Sequence, residues 1–501
     1  MTATAPPTVE TGHHIGGRRL ESAGGGTFTD HSPAHRNEVV AVLSAGNAAD
    51  IDLAVRAAEA ALPGWRRTPW PVRGEIILRA GLLMEQRKEE LARLMTREMG
   101  KVLTESRGDV QEGIDMAKFI AAEGRRPFGE TVPSELRDKW AMTTRQPLGV
   151  VGIITPWNFP MAIPTWKLFP ALLAGNTVVM KPAEDTPLCA LRVVELLEEA
   201  GLPAGVVNVV FGDGTAGEAL VRHPRVAGIS FTGSVPTGRR VNELCATRLA
   251  RCSLELGGKN AIVVLDDADV ELAVEGALWG AFGTSGQRCT ASSRLVVDRR
   301  VVGEVTEALV SRASQLRLGD GLDESVQIGP VINERQLRRI HDYTGIGVGE
   351  GARLLCGGEI AADGPLGDGW FYRPTVFGEV RSGMRIEQEE IFGPTTAVIP
   401  VDGIDEAIAV ANGTSYGLSL SLYTRDLRSA FRAVNELEAG IVYVNAPTIG
   451  AEIQLPFGGI RNTGNGHREA GTVALDQFSE WKSVYIDYSG RLQRAQIDTE
   501  A

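Results

Sequence analysis

The sequence predicts an α/β protein built around a doubly wound, mostly parallel sheet. From residue 149 onward, short apolar runs of strand length alternate with amphipathic segments of helix length. Strands that are joined by helical crossovers pair in parallel, and the helices then cover both faces of the sheet. The chain also has 59 glycines, as expected for many tight strand-to-helix turns.

The alternation continues through the middle of the chain. The predicted strands are 149–155, 177–181, 206–211, 226–231, 253–256 and 261–265. The predicted helices are 164–174, 187–200, 216–222 and 236–246, and another helix follows Asp269. Upstream, Asp50 is expected to cap a helix that ends before Pro63, and a second helix is expected over 75–99 with Gly100 as its stop.

The 501 residues are enough for two or three domains. We predict a first α/β domain from 1–135 and 149–257, and a second from 258–460. Residues 136–148, with a hairpin over 140–147, and the alternating tail within 475–501 are expected to form a small β arm. A further short hairpin is expected within the first 35 or so residues.

Composition excludes several classes of protein. The net charge is −12 and there is no basic run, which argues against a nucleic-acid partner. The five cysteines are odd in number and match no zinc spacing, so we expect no disulfide framework, no metal site and a reducing, cytoplasmic setting. Residues 1–14 do not read as a secretory signal, and prolines interrupt the most apolar stretch, 148–180, which argues against a membrane span.

Five short motifs carry the chemistry. They are TPWNFP (155–160), LELGGK (254–259), FGTSGQRCT (282–290), EEIFGP (389–394) and PFGG (456–459). In order and spacing they closely resemble the aldehyde dehydrogenase superfamily, from about residue 65 to about residue 481. The resemblance implies an NAD-binding domain of Rossmann type, a catalytic α/β domain and an oligomerisation arm. It also implies a homo-dimer or homo-tetramer.

Cys289 is the predicted nucleophile. A lone Cys is most often a buried structural thiol, but Cys289 lies in a polar, glycine-bearing loop beside Arg288, where a thiolate could be stabilised. By resemblance, the thiolate adds to an aldehyde to give a thiohemiacetal, and hydride loss to the nicotinamide then leaves a thioester. Asn158 and the Cys289 N–H would hold the oxyanion, and Glu255 would activate the water that cleaves the thioester.

These two residues also have simpler interpretations. Asn158 could be a turn residue beside prolines, and Glu255 could be a solvated or capping carboxylate. Family members that transfer the acyl group to coenzyme A lack this Glu, so its presence favours hydrolysis to the free acid. A scaffold protein and a phosphorylating semialdehyde dehydrogenase remain as further alternatives.

The predicted cofactor is NAD, with NADP possible. No GxGxxG follows the first strand, but FTGSVPTG (231–238) joins a strand to a helix, so Ser234 and backbone N–H groups can meet a pyrophosphate. By resemblance, Lys181 and Glu184 hold the adenosine ribose, and Glu390 holds the nicotinamide ribose with Phe392 nearby. The other predicted cofactor residues are Thr155, Pro156, Trp157, Ala183, Gly214, Phe231, Thr232, Gly233 and Leu256. Ala183 stands where the family often has Ser.

The predicted substrate is a small semialdehyde that carries an anionic group. Arg288 precedes the nucleophile, and PTIGAE (447–452) resembles the carboxylate-binding loop of semialdehyde-oxidising branches such as the α-aminoadipic semialdehyde dehydrogenases. The predicted substrate residues are Arg288, Thr290, Gly450, Ala451 and Phe457. The alternative is a broad-range dehydrogenase of neutral aldehydes, because apolar Met161, Ile163 and Leu168 follow TPWNFP.

Overall fold

The computed structural model describes residues 8–127 and 129–498. The parts of the predicted domains that fall on residues 1–7, 128 and 499–501 lie outside the described residues. The strands are β1 (Val9–Thr11), β2 (His13–Ile15), β3 (Arg18–Leu20), β4 (Thr27–His31), β5 (Val39–Ser44), β6 (Thr131–Pro133), β7 (Lys139–Pro147), β8 (Val150–Ile154), β9 (Thr177–Lys181), β10 (Val207–Val209), β11 (Gly228–Thr232), β12 (Arg251–Glu255), β13 (Ala261–Val264), β14 (Arg294–Asp298), β15 (Arg353–Cys356), β16 (Ile360–Ala361), β17 (Phe371–Tyr372), β18 (Thr375–Gly378), β19 (Thr395–Val401), β20 (Ser419–Tyr423), β21 (Ile441–Val444) and β22 (Ser479–Asp487).

The helices connect these strands in a regular pattern. They are α1 (Ala48–Arg67), α2 (Trp70–Gln86), α3 (Lys88–Met99), α4 (Leu103–Glu123), α5 (Ala162–Ala174), α6 (Pro187–Glu199), α7 (Gly214–Arg222), α8 (Val235–Ala246), α9 (Val270–Phe282), α10 (Val302–Ala313), α11 (Glu334–Gly349), α12 (Arg385–Gln388), α13 (Gly403–Asn412), α14 (Leu427–Glu436) and α15 (Ala474–Gln477).

Two seven-stranded sheets form the centres of the molecule. The first has the order β12-β11-β8-β9-β10-β2-β3, with parallel pairing from β12 to β10. The second has the order β15-β18-β19-β14-β13-β20-β21, and only β15 runs antiparallel to its neighbour. Helices pack on both sheets, which confirms the predicted α/β class. The central strands of both sheets are buried along their whole length because both faces are covered, namely β8, β9, β10, β13, β14 and β20.

The early helices differ from the predictions. Asn47, not Asp50, caps α1, and Asp50 completes a capping box by accepting from the Asn47 N–H at 3.0 Å. The helix continues through Pro63 to Arg67 because buried Trp65 holds its last turn, with Nε1 donating to the Leu172 carbonyl at 3.2 Å. The expected helix 75–99 is two helices that break at Arg87, and Gly100 ends the second in the left-handed conformation, as predicted.

The β arm is larger than predicted. Strand β22 pairs antiparallel with β7 along the full length of both strands, and β6, which begins before residue 136, pairs with the other edge of β7. The expected hairpin over 140–147 is therefore one strand whose main partner is the C-terminal strand. The early hairpin, β2 and β3, instead extends the edge of the first sheet.

The chain beyond residue 460 returns to the first sheet. Glu255 at the end of β12 bridges Gly464, and the Leu256 N–H donates to the Thr463 carbonyl at 2.7 Å. No helix in the described part of the chain is long and apolar enough to cross a membrane.

Candidate active site

Three loops leave the first sheet at the carboxyl ends of neighbouring strands. The register pairs Phe231 with Ile154 and Thr232 with Glu255, so β8, β11 and β12 end side by side. The loop after β8 carries Asn158, and β12 ends on Glu255. Ligands of open α/β sheets bind beyond this edge.

The nucleophile loop arrives from the second sheet through α9. Asp269 caps this helix by accepting from the Leu272 N–H at 3.2 Å, as its predicted position implied. A tight turn, Gly283–Gly286, follows. Thr284 and Ser285 both have φ near 54°, which costs about 1–2 kcal/mol for each L-residue.

Neighbouring segments hold this left-handed turn in place. The Thr284 N–H donates to Glu105 Oε1 at 2.7 Å, and Ser285 Oγ donates to the Gly329 carbonyl at 2.7 Å. Gly286 has φ of 67°, and a Cβ on it would lie 2.0 Å from the Gly393 carbonyl oxygen, so only glycine fits there. The turn therefore fixes where Cys289 enters the site.

One pocket brings together most of the predicted catalytic and substrate residues. Its lining includes the predicted Thr232, Glu255, Leu256, Arg288, Cys289, Thr290, Gly450, Ala451 and Phe457. Asn158 is buried beside it, and its Nδ2 donates to the Gln287 carbonyl at 3.0 Å, two residues before the thiol. The lining also includes residues that the sequence analysis missed: Glu112, Phe159, Trp166 and Glu469.

The Cys289 thiol is neutral in this environment. Burial and then the negative charges of Glu390 and Glu255 raise its pKa to about 12, against the smaller opposite effect of backbone N–H groups. The expected stabilisation of a thiolate by Arg288 is not what the structure shows. The Arg288 guanidinium lies 5.0 Å from the Trp279 ring centre, and its Nε donates to Thr284 Oγ1 at 3.0 Å.

Glu255 is a buried carboxyl group without a partner. Among the residues that the structure describes, neither of its side-chain oxygens has a hydrogen-bond partner. Burial first, and then the charge of Glu469, raise the pKa of Glu255 well above its usual range, while Lys167 opposes the rise. A Cβ at Gly458 would lie 2.5 Å from Glu255 Oε1, so the PFGG segment closes over the carboxyl.

A buried ion pair lies behind Glu255. Lys167 Nζ contacts Glu469 Oε1 and donates to Ser230 Oγ at 2.9 Å. The sequence analysis assigned neither residue of the pair. The available signal was Lys167, the only charged residue in the mostly apolar helix α5.

The predicted ribose-binding residues form two separate clusters. Lys181 Nζ lies 3.1 Å from Glu184 Oε2 at the end of β9, with Ala183 buried between them. In the second cluster, Glu390 Oε1 accepts from the Gly258 N–H at 3.0 Å. Burial raises the pKa of Glu390 to about 7.

The second cluster also contains contacts that the motifs did not reveal. Gln336 Nε2 donates to the Phe392 carbonyl at 2.7 Å, and Arg339 Nη2 donates to the Glu390 carbonyl at 2.7 Å. The Phe392 ring meets Trp157 edge-on at a centroid distance of 5.4 Å. Both polar residues lie on α11, far from the motif in sequence.

The remaining predicted cofactor residues lie at the N-termini of α7 and α8 and at the ends of β8 and β11. Ser234 caps α8, and its Oγ accepts from the Thr237 N–H at 3.5 Å. Gly214 begins α7 with open space beside it. Thr155 and Pro156 follow β8, Phe231 and Thr232 end β11, and Gly233 comes directly after it. Thr232 Oγ1 is buried and has no hydrogen-bond partner among the described residues.

The raised pKa of Cys289 predicts its alkylation rate. In the protein without cofactor, only the thiolate reacts with iodoacetamide, so the rate should rise about tenfold for each pH unit from about pH 7 to about pH 9. Mass spectrometry of the Cys289 peptide measures the rate. Cys356→Ser, which removes the other half-buried thiol, should leave the profile unchanged. A plateau below about pH 9 would mean that the site stabilises the thiolate.

Comparisons with known proteins agree with the geometry. The model of the aldehyde dehydrogenase family matches residues 20–484. The α-ketoglutaric semialdehyde dehydrogenase of Bacillus subtilis (strain 168) is 42% identical over 94% of this chain and 97% of its own. The betaine aldehyde dehydrogenase of Mesorhizobium japonicum is 40% identical over 96% and 98%.

Solved structures match the fold of this chain over nearly its whole length. Betaine aldehyde dehydrogenase from Staphylococcus aureus, solved with NAD+, superposes with a TM-score of 0.94 at 35% identity and covers 97% of this chain and 96% of its own. The NAD+ complex of an aldehyde dehydrogenase from Bacillus cereus gives 0.92 at 38% identity, with 96% and 97% covered. Sequence, fold and pocket together confirm the resemblance, and the chain belongs to the aldehyde dehydrogenase family.

Proposed function

We propose that the protein oxidises a small semialdehyde with an anionic end to the free carboxylic acid, with NAD+ as the hydride acceptor. The observation that carries this proposal is the shared pocket of the Cys289 thiol, the unpartnered Glu255 carboxyl and the Arg288 cation. A relative that is 42% identical is named for a carboxylate-bearing semialdehyde, α-ketoglutaric semialdehyde.

The first step is addition of Cys289 Sγ to the aldehyde carbon. Because the pKa of this thiol is about 12, a base must take its proton as the C–S bond forms. Solvent water takes that proton, and ionised Glu255, which lines the same pocket, acts in the later hydrolytic step. The carbonyl oxygen becomes an oxyanion, for which the Asn158 amide and the Cys289 N–H are the proposed donors.

The second half of the reaction is hydrolysis of the thioester on Cys289. Glu255 takes a proton from water, the hydroxide adds to the acyl carbon, and the thiolate leaves. The Glu469 carboxylate, which is paired with Lys167, lies beside Glu255. It can accept the proton that Glu255 gains from water. The product is the free acid.

The residues present fit a dinucleotide. NAD+, when bound, supplies the hydride acceptor. The N-terminus of α8 at Ser234 offers the positive end of a helix for the pyrophosphate, and Lys181 with Glu184 offers a cation and an acceptor for ribose hydroxyls. The unpartnered Thr232 Oγ1, between these positions and the thiol pocket, is available to the ligand.

Glu255→Gln should separate acylation from deacylation. If ionised Glu255 mainly activates water, the variant should release one equivalent of NADH in a burst, and its steady rate should fall at least about 100-fold. Rapid-mixing absorbance measures both phases. Cys289→Ala is the control and should give neither phase. A burst and a steady rate that fall together would assign Glu255 to acylation.

Arg288 should set the preference for anionic aldehydes. The test pair is a semialdehyde with a terminal carboxylate and a neutral alkyl aldehyde of equal length. A charge-assisted contact should favour the anion about 10- to 100-fold in kcat/KM, and Arg288→Leu should remove that preference. A wild-type ratio near one, or an unchanged ratio in the variant, would favour a broad-range dehydrogenase of neutral aldehydes.

That second function has specific support. Arg288 Nη2 already lies 3.6 Å from Glu105 Oε1, and its guanidinium carbon lies 5.3 Å from the Phe159 ring centre. If the Arg288 cation acts only on its own loop, which carries the nucleophile, the pocket presents no cation to the substrate. The same pocket is lined by apolar Ile163 and Phe457.

We expect NAD+ to be preferred to NADP+. Glu184 can accept from ribose hydroxyls but repels a 2′-phosphate, and nearby Lys181 offsets only part of that repulsion. Glu184→Ser should therefore raise kcat/KM for NADP+ relative to NAD+ about tenfold or more. Asp185→Asn, which removes an adjacent carboxylate that accepts from Asn333 Nδ2 at 3.1 Å, is the matched control and should change the ratio little. Equal use of both cofactors by the wild type would contradict the assignment.

We also propose a homo-dimer or homo-tetramer in a reducing cytoplasm. The arm exposes Trp140, Trp481 and Tyr485, and β21 is an edge strand of the second sheet. All five cysteines are free thiols, which suits a reducing compartment.

A further inference from the structure

The backbone that follows the nucleophile is held by buried side chains. Four carbonyl oxygens in a row, those of residues 289–292, each accept a hydrogen bond from such a side chain. The donors are Asn260, directly before β13, Thr448 of the PTIGAE segment and Thr396 of β19. The proposed reaction uses none of these three side chains.

Asn260 holds the peptide group next to the thiol. Its Nδ2 donates to the Cys289 carbonyl at 2.8 Å and to the Ala291 carbonyl at 3.0 Å. Its Oδ1 accepts from the Ser419 N–H at 3.0 Å, at the start of β20. Both N–H groups and the oxygen of the amide therefore have partners, and a flipped amide would place its oxygen against two carbonyl oxygens. The side chain thus has one orientation.

The chain leaves little space around the Cys289 carbonyl. A Cβ at Gly258 would lie 2.6 Å from this carbonyl oxygen and 2.9 Å from Asn260 Oδ1, so only glycine fits at that position. The end of the LELGGK segment thus packs directly on the peptide group that follows the thiol. The carbonyl is therefore confined by the Gly258 backbone as well as bonded to the Asn260 amide.

The same peptide group has an N–H at its other end, which belongs to Thr290. The carbonyl and the N–H of a trans peptide lie in one plane and point in opposite directions. A carbonyl that is bonded to Asn260 therefore turns the Thr290 N–H away from Asn260, and this N–H is directed to Cys289 Sγ. Burial raises the pKa of the thiol most, and the Thr290 N–H is among the groups that lower it.

We propose that Asn260 is a positioning residue that, through the Cys289 carbonyl, keeps the Thr290 N–H on the Cys289 sulfur and so stabilises the thiolate. The inference rests on the proposed function, because it takes Cys289 as the nucleophile. The thiolate forms when the sulfur attacks the aldehyde, and it forms again when the sulfur leaves the acyl carbon, so one donor serves both steps. A hydrogen bond to the charged form favours that form.

Alkylation of Cys289 tests the proposal without using the reaction. The full-length protein without cofactor is treated with iodoacetamide at about pH 8, where only the small thiolate fraction reacts. Asn260→Leu keeps the branched shape but has no donor and no charge, so the rate should fall about tenfold or more, the size expected for a hydrogen bond to a charged group. Asn260→Ala, a second neutral variant, covers the case that the larger apolar side chain prevents folding, and its rate should fall as well. A folded Asn260 variant that is alkylated at the wild-type rate overturns the proposal.

Thr396→Val is the matched control. It keeps the shape of its side chain and removes one buried donor, but that donor holds the Ser292 carbonyl, three residues after the thiol. Thermal unfolding should show a loss of stability in this variant and in Asn260→Leu, while only Thr396→Val should keep the wild-type alkylation rate. If Thr396→Val slows alkylation as much as Asn260→Leu, any lost bond in this loop has the effect, and the role of Asn260 is overturned.

A second reagent separates the stability of the thiolate from access to the pocket. Alkylation by iodoacetamide and by the bulkier N-ethylmaleimide should slow by the same factor in Asn260→Leu, because a smaller thiolate fraction affects both reagents equally. A narrower entrance would slow the bulkier reagent more, and unequal factors therefore overturn the proposal.

Turnover then distinguishes this inference from the proposed function. The value of kcat/KM for Asn260→Leu should fall by the same factor with the carboxylate-bearing semialdehyde and with the neutral aldehyde of equal length, because Asn260 acts on the sulfur and not on the substrate. A fall that is confined to one of the two substrates overturns the role of Asn260. If Cys289→Ala still oxidises aldehyde, the proposed function fails, whereas the alkylation rates still decide whether Asn260 stabilises the thiolate.

Discussion

The parallel pairing of β11 with β8 on one side and β12 on the other is the constraint on which the site depends. Backbone hydrogen bonds in three adjacent strands fix where the chain leaves the sheet. The amide of Asn158, the hydroxyl of Thr232 and the carboxyl of Glu255 are therefore held at one edge by the sheet and not by contacts with each other. Of the three predicted catalytic residues, only the nucleophile Cys289 comes from a segment that follows a helix of the second sheet.

Burial has two opposite effects around this edge. It stabilises the fold by removing apolar strands from water, and it raises the free energy of each ionised group that is enclosed with them. Some groups are compensated by partners. Asp109, for example, binds Lys101 and also accepts from the Ala162 N–H at 2.7 Å, which ties α4 to the start of α5. Neither side-chain oxygen of Glu255 has a hydrogen-bond partner among the described residues, and burial raises the pKa of both Glu255 and Cys289.

The sequence predicted the parts of the molecule that depend on local pattern. Most strands of the first sheet lie where the apolar runs are, although 206–211 shortens to Val207–Val209. Residues of three motifs far apart in sequence line one pocket, and two of these motifs meet because strand ends in a parallel sheet share an edge. The break at Arg87 was missed because the apolar spacing continues across it, while its guanidinium turns to pair with Glu199.

The surroundings of the motif residues were less predictable. The position of Arg288 beside the nucleophile suggested a counter-ion for the thiolate, but its direction depends on Trp279, Phe159 and Glu105, which come from three other segments. Glu112 carries no motif at all. Its place in the pocket follows only from how α4 packs, and packing between distant segments leaves no local signature in one sequence.

The left-handed turn before Cys289 has a consequence for how the protein is made. Its two bonds reach Glu105, which is translated long before the turn, and Gly329, which is translated after it. Neither half of the chain can therefore hold the nucleophile loop alone. A growing or truncated polypeptide that ends between residues 289 and 329 has the thiol but lacks one of the two anchors of the turn. The reactive centre is completed only once both α/β regions have been synthesised and have packed together.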